Sequence, residues 1–201
     1  MTAAAGTDWV LASTNRGKLA EYKALLAGTG IRLGALASDG ANAPAETGLT
    51  FVENALIKAR HAAALAGRPA FADDSGLCVH ALGGAPGVFS ARYAGPGASD
   101  ADNNARLLEA LADVADADRQ ATFHCVIVAL RSPGDPAPVI AEGRWPGRIA
   151  FAPRGTGGFG YDPIFVDETC GLTAAELEPA VKNDTSHRGR AARELRRLLG
   201  I

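Results

Sequence analysis

Asp73 and Asp74 stand side by side in front of Ser75-Gly76, behind an apolar lead-in, Pro69-Ala70-Phe71-Ala72, that reads as a short buried strand. Two carboxylates at the end of such a strand repel each other, and a cation would relieve the repulsion. Hard carboxylate oxygens suit Mg²⁺, which takes one or two protein carboxylates and completes its shell with water or phosphate oxygens. Glu46, in a different connection, is a further candidate ligand. The competing reading is a plain turn in which an aspartate caps Ser75-Gly76.

A second group of residues suits an anion. At Ser13-Thr14-Asn15-Arg16-Gly17-Lys18 a strand gives way to a short polar turn and then to a helix. Backbone N–H groups and the helix dipole favour negative charge there, and Lys18 adds a full positive charge. The segment is not a Walker A loop, because Ala12 and Leu19 stand where that motif needs Gly and Ser or Thr. An ordinary N-cap followed by one solvated lysine fits as well. If the anion is a phosphate, Mg²⁺ would bridge it to the acidic pair.

Three further places carry chemistry. Asn54 and Lys58 are four apart and share a helix face, so Lys58 is either a phosphate contact or a surface lysine. In Gly157-Gly158-Phe159-Gly160-Tyr161-Asp162 the glycines leave the Phe159 ring accessible, fit to stack on a base or to pack inward, and Asp162 could accept from a ring N–H. Ser186-His187-Arg188, with Lys182 before it, puts donors at a helix start, and arginine reads guanine-type edges. The arginines beyond it read as a solvated helix face. His61 reads as a face residue and His124 as a structural one.

The elements that position these residues alternate between strands and helices. Residues 8–13 read as a first strand and 17–27 as a helix. Residues 35–48 form a turn-rich connection. A capping box at Thr50 and Glu53 opens a second helix with Phe51, Ala55, Ala59, Ala62 and Ala66 inward. Residues 100–114 form a third helix, 121–130 a buried strand and 139–144 its hairpin partner. Trp145-Pro146-Gly147 reads as a turn, and 188–199 as a last helix capped by Ser186. Helical crossovers and a hairpin together predict a mixed α/β sheet.

Composition sets the outer bounds. A chain of 201 residues with 47% hydrophobic and 21% charged residues is an ordinary globular protein. A net charge of −2 argues against broad binding to a nucleic acid polymer or to a membrane surface. Three cysteines without metal-ligand spacing read as reduced, mostly buried thiols. No apolar run reaches the roughly 18–20 residues of a membrane span, and no secretion signal opens the chain, so a cytoplasmic location is expected.

Five segments in this order resemble the inosine triphosphate pyrophosphatase family. They are the Ser13–Lys18 turn, Thr50-Phe51-Val52-Glu53-Asn54-Ala55 with Lys58-Ala59-Arg60, residues 72–95, residues 157–165, and Ser186-His187-Arg188 with Lys182. Thr14 stands where many members carry Gly. The resemblance implies one domain over residues 1–201, an elongated mixed sheet with flanking helices, two lobes around a central cleft, and a homodimer. It implies hydrolysis of inosine, deoxyinosine and xanthosine triphosphates between the α and β phosphates, with Mg²⁺. Residue by residue, it assigns Ser13, Thr14, Asn15, Arg16, Gly17 and Lys18 to the phosphates. Asp74 becomes general base and metal ligand, with Asp73 and Glu46 close to the metal. Ser75 and Lys58 touch the triphosphate. Phe159, Gly160, Tyr161, Asp162, Lys182, His187 and Arg188 form the nucleoside pocket, where donors from His187 and Arg188 would pair with a 6-oxo group and reject a 6-amino group. The rival expectations are a nucleotide sensor without turnover and a triphosphatase that releases orthophosphate.

Overall fold

Side chains alternate faces along a β-strand, and strands covered by helices on both sides are apolar at both parities. The computed structural model describes residues 8–13, 15–36 and 43–201. In chain order it contains β1 (Asp8–Leu11), α1 (Arg16–Leu25), β2 (Arg32–Ala35), α2 (Phe51–Ala66), β3 (Ala70–Val79), α3 (Asp100–Ala110), β4 (Gln120–Leu130), β5 (Val139–Ile149), β6 (Phe165–Asp167), α4 (Pro179–Thr185) and α5 (His187–Leu199). The strands form a six-stranded sheet in the order β2-β1-β3-β4-β5-β6. β1 is parallel to β2 and β3, and β5 is antiparallel to β6, so the sheet is mixed, as expected for this α/β chain.

The chain divides into two compact units. The first holds the described residues up to Asp74, then 125–143 and 188–201; the second holds 75–124 and 144–187. In the first unit, Leu11, Phe71, Cys125, Ile127 and Ala129 pack with Tyr22 and Leu26 from the α1 segment and with Ala191, Ala192 and Leu195 of α5. Residues of the opposite parity, Val10, Ala70, Ala72, Val126, Val128 and Leu130, pack with Ala55, Ala59, Ala62 and Ala63 of α2. Each face of this part of the sheet therefore has its own helical layer. α2 starts where the capping box predicts: the Thr50 side chain accepts from the Glu53 N–H, and Glu53 accepts from the Thr50 N–H.

The second unit has a separate core of Leu77, Val79, Leu107, Phe123, Trp145, Ile149 and Phe165 with their neighbours. Arg119 is fully buried beside it. Its guanidinium donates to the carbonyl oxygens of Leu111, Val114, Ile149 and Ala150.

Four expectations change. β3 does not stop at the acidic pair but runs ten residues, from Ala70 to Val79, so Asp73 and Asp74 lie inside a strand. Trp145-Pro146-Gly147 is not a turn but part of β5, where Gly147 pairs with Asp167. A Cβ on Gly147 would run into the Val166 carbonyl and the Phe165 ring, so glycine here marks a close strand approach. β2, β6 and α4 are additional elements. The cysteines are free, as expected, but only Cys125 is buried; Cys78 is half-buried and Cys170 exposed.

Replacing Arg119 with Met keeps most of the volume and leaves its buried carbonyls without a charged donor. A loss of about 3 kcal/mol is expected, lowering the melting temperature by roughly 6–12 °C for a chain of this size. An unchanged melting temperature would show that these carbonyls do not depend on the guanidinium.

Candidate active site

The alternation that buries Phe71 and Ala72 on opposite faces also separates the acids. Asp73 has the parity of Phe71 and enters the layer of α1 and α5. Asp74 has the parity of Ala72 and enters the layer of α2. Each meets its own lysine: Lys18 Nζ lies 2.9 Å from Asp73 Oδ2, and Lys58 Nζ lies 2.6 Å from Asp74 Oδ1.

Asp73 is the more deeply buried. Arg188 Nε lies 3.7 Å from the same Oδ2, and Arg188 Nη1 lies 2.5 Å from Glu21 Oε2. The Cys125 thiol approaches Asp73 Oδ2 at 4.0 Å, and the Tyr22 hydroxyl lies 3.6 Å from Cys125 Sγ. Burial alone would raise the Asp73 pKa, but Lys18, Arg188 and Lys58 outweigh it and hold the carboxyl well below the usual range. Burial and the charge of Asp73 push the Cys125 thiol up to about 12, so it is no nucleophile at neutral pH.

The turn before α1 is built by short-range bonds. Ser13 Oγ accepts from the Asn15 N–H at 3.2 Å, and Asn15 Oδ1 caps α1 by accepting from the Lys18 N–H at 3.0 Å. Asn15 thus serves as the N-cap, while Lys18 is not a solvated lysine but the partner of Asp73. Arg16 opens α1, Gly17 follows within its first turn, and Thr14 lies outside the described residues.

On the other face, Lys58 Nζ also donates to Glu46 Oε1 at 2.9 Å, so two carboxylates from different segments converge on one ammonium. Asn54 Nδ2 donates to Asp74 Oδ2 at 3.4 Å, and its Oδ1 accepts from the Gly48 N–H at 2.8 Å. A Cβ on Gly48 would sit 2.8 Å from that Oδ1, so only glycine brings the Glu46 segment this close to α2. Burial raises the Asp74 pKa from the ordinary aspartate value, although Lys58 opposes the shift. The Lys58 pKa is also raised: burial opposes charging, but Asp74, Asp73 and Glu46 together favour it. Among the described residues no three of His, Cys, Asp and Glu lie close enough to hold a metal together. Of Glu46, Asp73 and Asp74, Asp73 lies on the opposite face of β3 from the other two.

The second unit begins at Ser75, half-buried in β3. It contains the glycine loop, residues 155–162. Lys182 Nζ donates to Asp162 Oδ2 at 2.6 Å and sits 5.1 Å from the centroid of the half-buried Phe159 ring. Asp162 Oδ2 also accepts from the Phe159 N–H at 2.8 Å. Asp162 is thus a loop brace, and Lys182, placed by α4, is its buried cation. Tyr161 is buried and its hydroxyl donates to the Ser90 carbonyl at 2.8 Å. His187 stacks on Phe123 with centroids 4.6 Å apart and planes 8° from parallel. Phe159 and Gly160 also border a cavity of about 470 Å³ lined by Asp100, Asn104, Leu108 and Pro153.

Two residues that touch this machinery had no assigned role in the sequence. Asn54 was legible as a face-mate of Lys58. Glu21 stands three residues after Lys18, a helical spacing that puts both on one side of α1.

With this geometry in view, the chain belongs to the Ham1 family, whose profile matches residues 9–198. It is 58% identical over 186 residues to a dITP/XTP pyrophosphatase of Halorhodospira halophila, covering 92% of this chain and 94% of the relative. The HAM1 protein of Coxiella burnetii superimposes with a TM-score of 0.89 at 52% identity, covering 96% of this chain and 98% of that one. The Ham1 protein of Staphylococcus aureus does so with a TM-score of 0.84 at 37% identity, covering the same shares.

The depressed Asp73 pKa fixes a pH dependence of stability. Its contribution is present above the unfolded carboxylate value near 4 and is lost as pH falls toward the lower folded value. Asp73→Asn should cost about 3 kcal/mol at pH 7, because it strips a charge from a buried network. Urea midpoints should then converge with those of the parent chain as pH falls from about 5 to about 2. A constant gap between the two proteins across that range would contradict the assignment.

Proposed function

We infer that this chain hydrolyses deaminated purine nucleoside triphosphates, among them dITP, ITP and XTP, to the monophosphate and pyrophosphate. It thereby keeps deaminated purines out of DNA and RNA. The observation that carries the chemistry is Asp74, a buried carboxylate of raised pKa held 2.6 Å from Lys58 in the α2 layer. A general base works best with a pKa moved toward the operating pH, and burial moves Asp74 in that direction.

In the proposed reaction Asp74 accepts a proton from water as the water oxygen bonds to phosphorus at the α,β bridge. The bond from that phosphorus to the bridging oxygen breaks, the bridging oxygen keeps the electron pair, and the monophosphate and pyrophosphate separate. Lys18, Lys58, Ser13, Asn15, Ser75 and the amides of the first turn of α1 neutralise and orient the triphosphate, which is most of what phosphoryl transfer requires. We also assign to this set Thr14, Arg16 and Gly17, through the turn they share. The purine is assigned to Phe159, Gly160, Tyr161 and Asp162, with Lys182 and His187 beside them. Arg188, whose guanidinium carries five donors, is assigned to the 6-oxo group. An adenine nucleotide has no acceptor there.

A divalent cation fits one part of the first unit. Asp74 Oδ1 and Glu46 Oε1 already converge on a single positive centre, both are hard oxygens, and two carboxylates are what Mg²⁺ takes from a protein beside a polyphosphate. When bound, Mg²⁺ would lower the pKa of the water and offset phosphate charge. Asp73 is assigned a different task, holding Lys18 and Arg188. We further propose that the two units act as one functional domain, that the chain works as a homodimer in the cytoplasm, and that its partner is the free nucleotide, not a nucleic acid polymer or a membrane. No helix among the described residues is long and apolar enough to cross a membrane. A sedimentation mass of one chain would refute the dimer.

Product analysis tests the reaction. dITP and XTP should release pyrophosphate, with kcat/KM exceeding that for dATP by about 10⁴. Asp74→Asn should lower kcat by about 10²–10⁴ while dITP still binds. Release of orthophosphate, or full activity in Asp74→Asn, would refute the reading.

Glu46→Gln should raise the Mg²⁺ concentration for half-maximal activity by about tenfold, the scale of a lost carboxylate contact. An unshifted Mg²⁺ titration would remove Glu46 from the metal site.

A further inference from the structure

Gly160 is gripped at both of its backbone polar groups by two side chains of α3. Its N–H donates to Asp100 Oδ2 at 2.6 Å, and its carbonyl accepts from Asn104 Nδ2 at 3.0 Å. The two residues are four apart, one helical turn, so both face the same side of α3. The helix they stand on is fixed at its start by a complete capping box, in which Ser99 and Asp102 satisfy each other's backbone N–H. Gly160 itself has φ of +63°, a conformation that a side chain would strain. Asn104 is 7% exposed, while Asp100 lies on the surface.

The neighbours of Gly160 are held from other directions. Tyr161 is tied to the Ser90 carbonyl, and Asp162 is tied to Lys182 and to the Phe159 N–H. Phe159 itself donates its N–H to Asp162 Oδ2 and accepts from the Asp162 N–H, and Lys182 Nζ sits 5.1 Å from its ring centroid. The peptide that joins Phe159 to Gly160 is held by Asp100, and the next one, from Gly160 to Tyr161, by Asn104. An aromatic ring flanked by glycines can adopt many orientations, and a platform for stacking needs one of them.

We propose that Asp100 and Asn104 are positioning residues that clamp Gly160 and so hold the Phe159 ring in the orientation that receives the purine. They never touch the phosphates. Their contribution is to nucleotide affinity through the base, and kcat is set elsewhere, at Asp74. The proposal rests on the reading of the glycine loop as the purine platform. A rigid first layer supported by a second is the general requirement for such a platform.

The test is steady-state kinetics on dITP, with inorganic tripolyphosphate as a competitive inhibitor that lacks a base. Asp100→Ala and Asn104→Ala should each raise KM for dITP by about tenfold, the scale of one hydrogen bond to a positioned group. kcat should stay within about twofold, and the tripolyphosphate inhibition constant should not move. Asp100→Asn, which keeps an acceptor oxygen, should recover most of the lost affinity. Because Asp100 is exposed, its removal leaves the core intact, and it keeps the test valid if Asn104→Ala folds poorly. Faster hydrogen exchange at the Gly160 amide in Asp100→Ala, confined to residues 159–162, would support the clamp directly. An unchanged KM in a folded Asp100→Ala would overturn the proposal, as would a parallel rise in the tripolyphosphate constant. Phe159→Ala separates the two levels. If it raises KM and the α3 variants do not, the clamp is wrong and the platform stands; if it leaves KM unchanged, the platform reading itself has failed.

Discussion

Everything at the candidate site depends on the two-residue period of β3. The strand is covered by helices on both faces, and Asp73 and Asp74 follow Phe71 and Ala72 in strict alternation. Adjacent carboxylates in a loop could share one cation. Adjacent carboxylates in a doubly covered strand cannot, because their side chains leave on opposite faces. Each must find a counter-charge in its own layer. α1 supplies Lys18 to one, and α2 supplies Lys58 to the other.

The two environments push the acids apart in chemistry. Asp73 is fully buried but surrounded by cations, and it stays ionised to low pH. It is a structural anion that ties Lys18 and Arg188 to the sheet. Asp74 has one strong cationic partner and a second carboxylate nearby, and burial wins. Two identical residue types, one peptide apart, are thus shifted in opposite directions. Pairs of titratable groups driven in opposite directions by their surroundings are a common sign of divided labour in an active site.

Much of this was legible in the sequence. The capping box at Thr50 and Glu53 marks the start of α2 because its bonds are local, and the Asn54 and Lys58 spacing follows from helix geometry alone. The alternating apolar residues of β4 are equally local. What was not legible depends on contacts distant in sequence. β3 continues past the acids and β5 past Trp145, and Gly and Pro in those segments look like punctuation until a neighbouring strand is seen. β6, only three residues long, exists because β5 pairs with it. The same holds at the site. Residue types identified Asp73, Asp74, Lys18 and Lys58 as candidates, but which lysine serves which acid is a question of strand parity. Parity cannot be applied while the acids are placed at the end of the strand. Asn15 was ambiguous between capping and anion binding because its amide carries both an acceptor oxygen, which capping uses, and an NH2 donor, which an anion would use.

The central claim is that Asp74 and Glu46, not Asp73, face the metal and the scissile bridge. The most direct measurement is a crystal structure with Mg²⁺ and a deoxyinosine triphosphate analogue whose α,β bridge cannot be cleaved. The account predicts cation density against the carboxylates of Asp74 and Glu46, beside the bridge, with Asp73 still paired to Lys18 in the opposite layer. A cation ligated by Asp73, with Asp74 remote from the bridge, would contradict it.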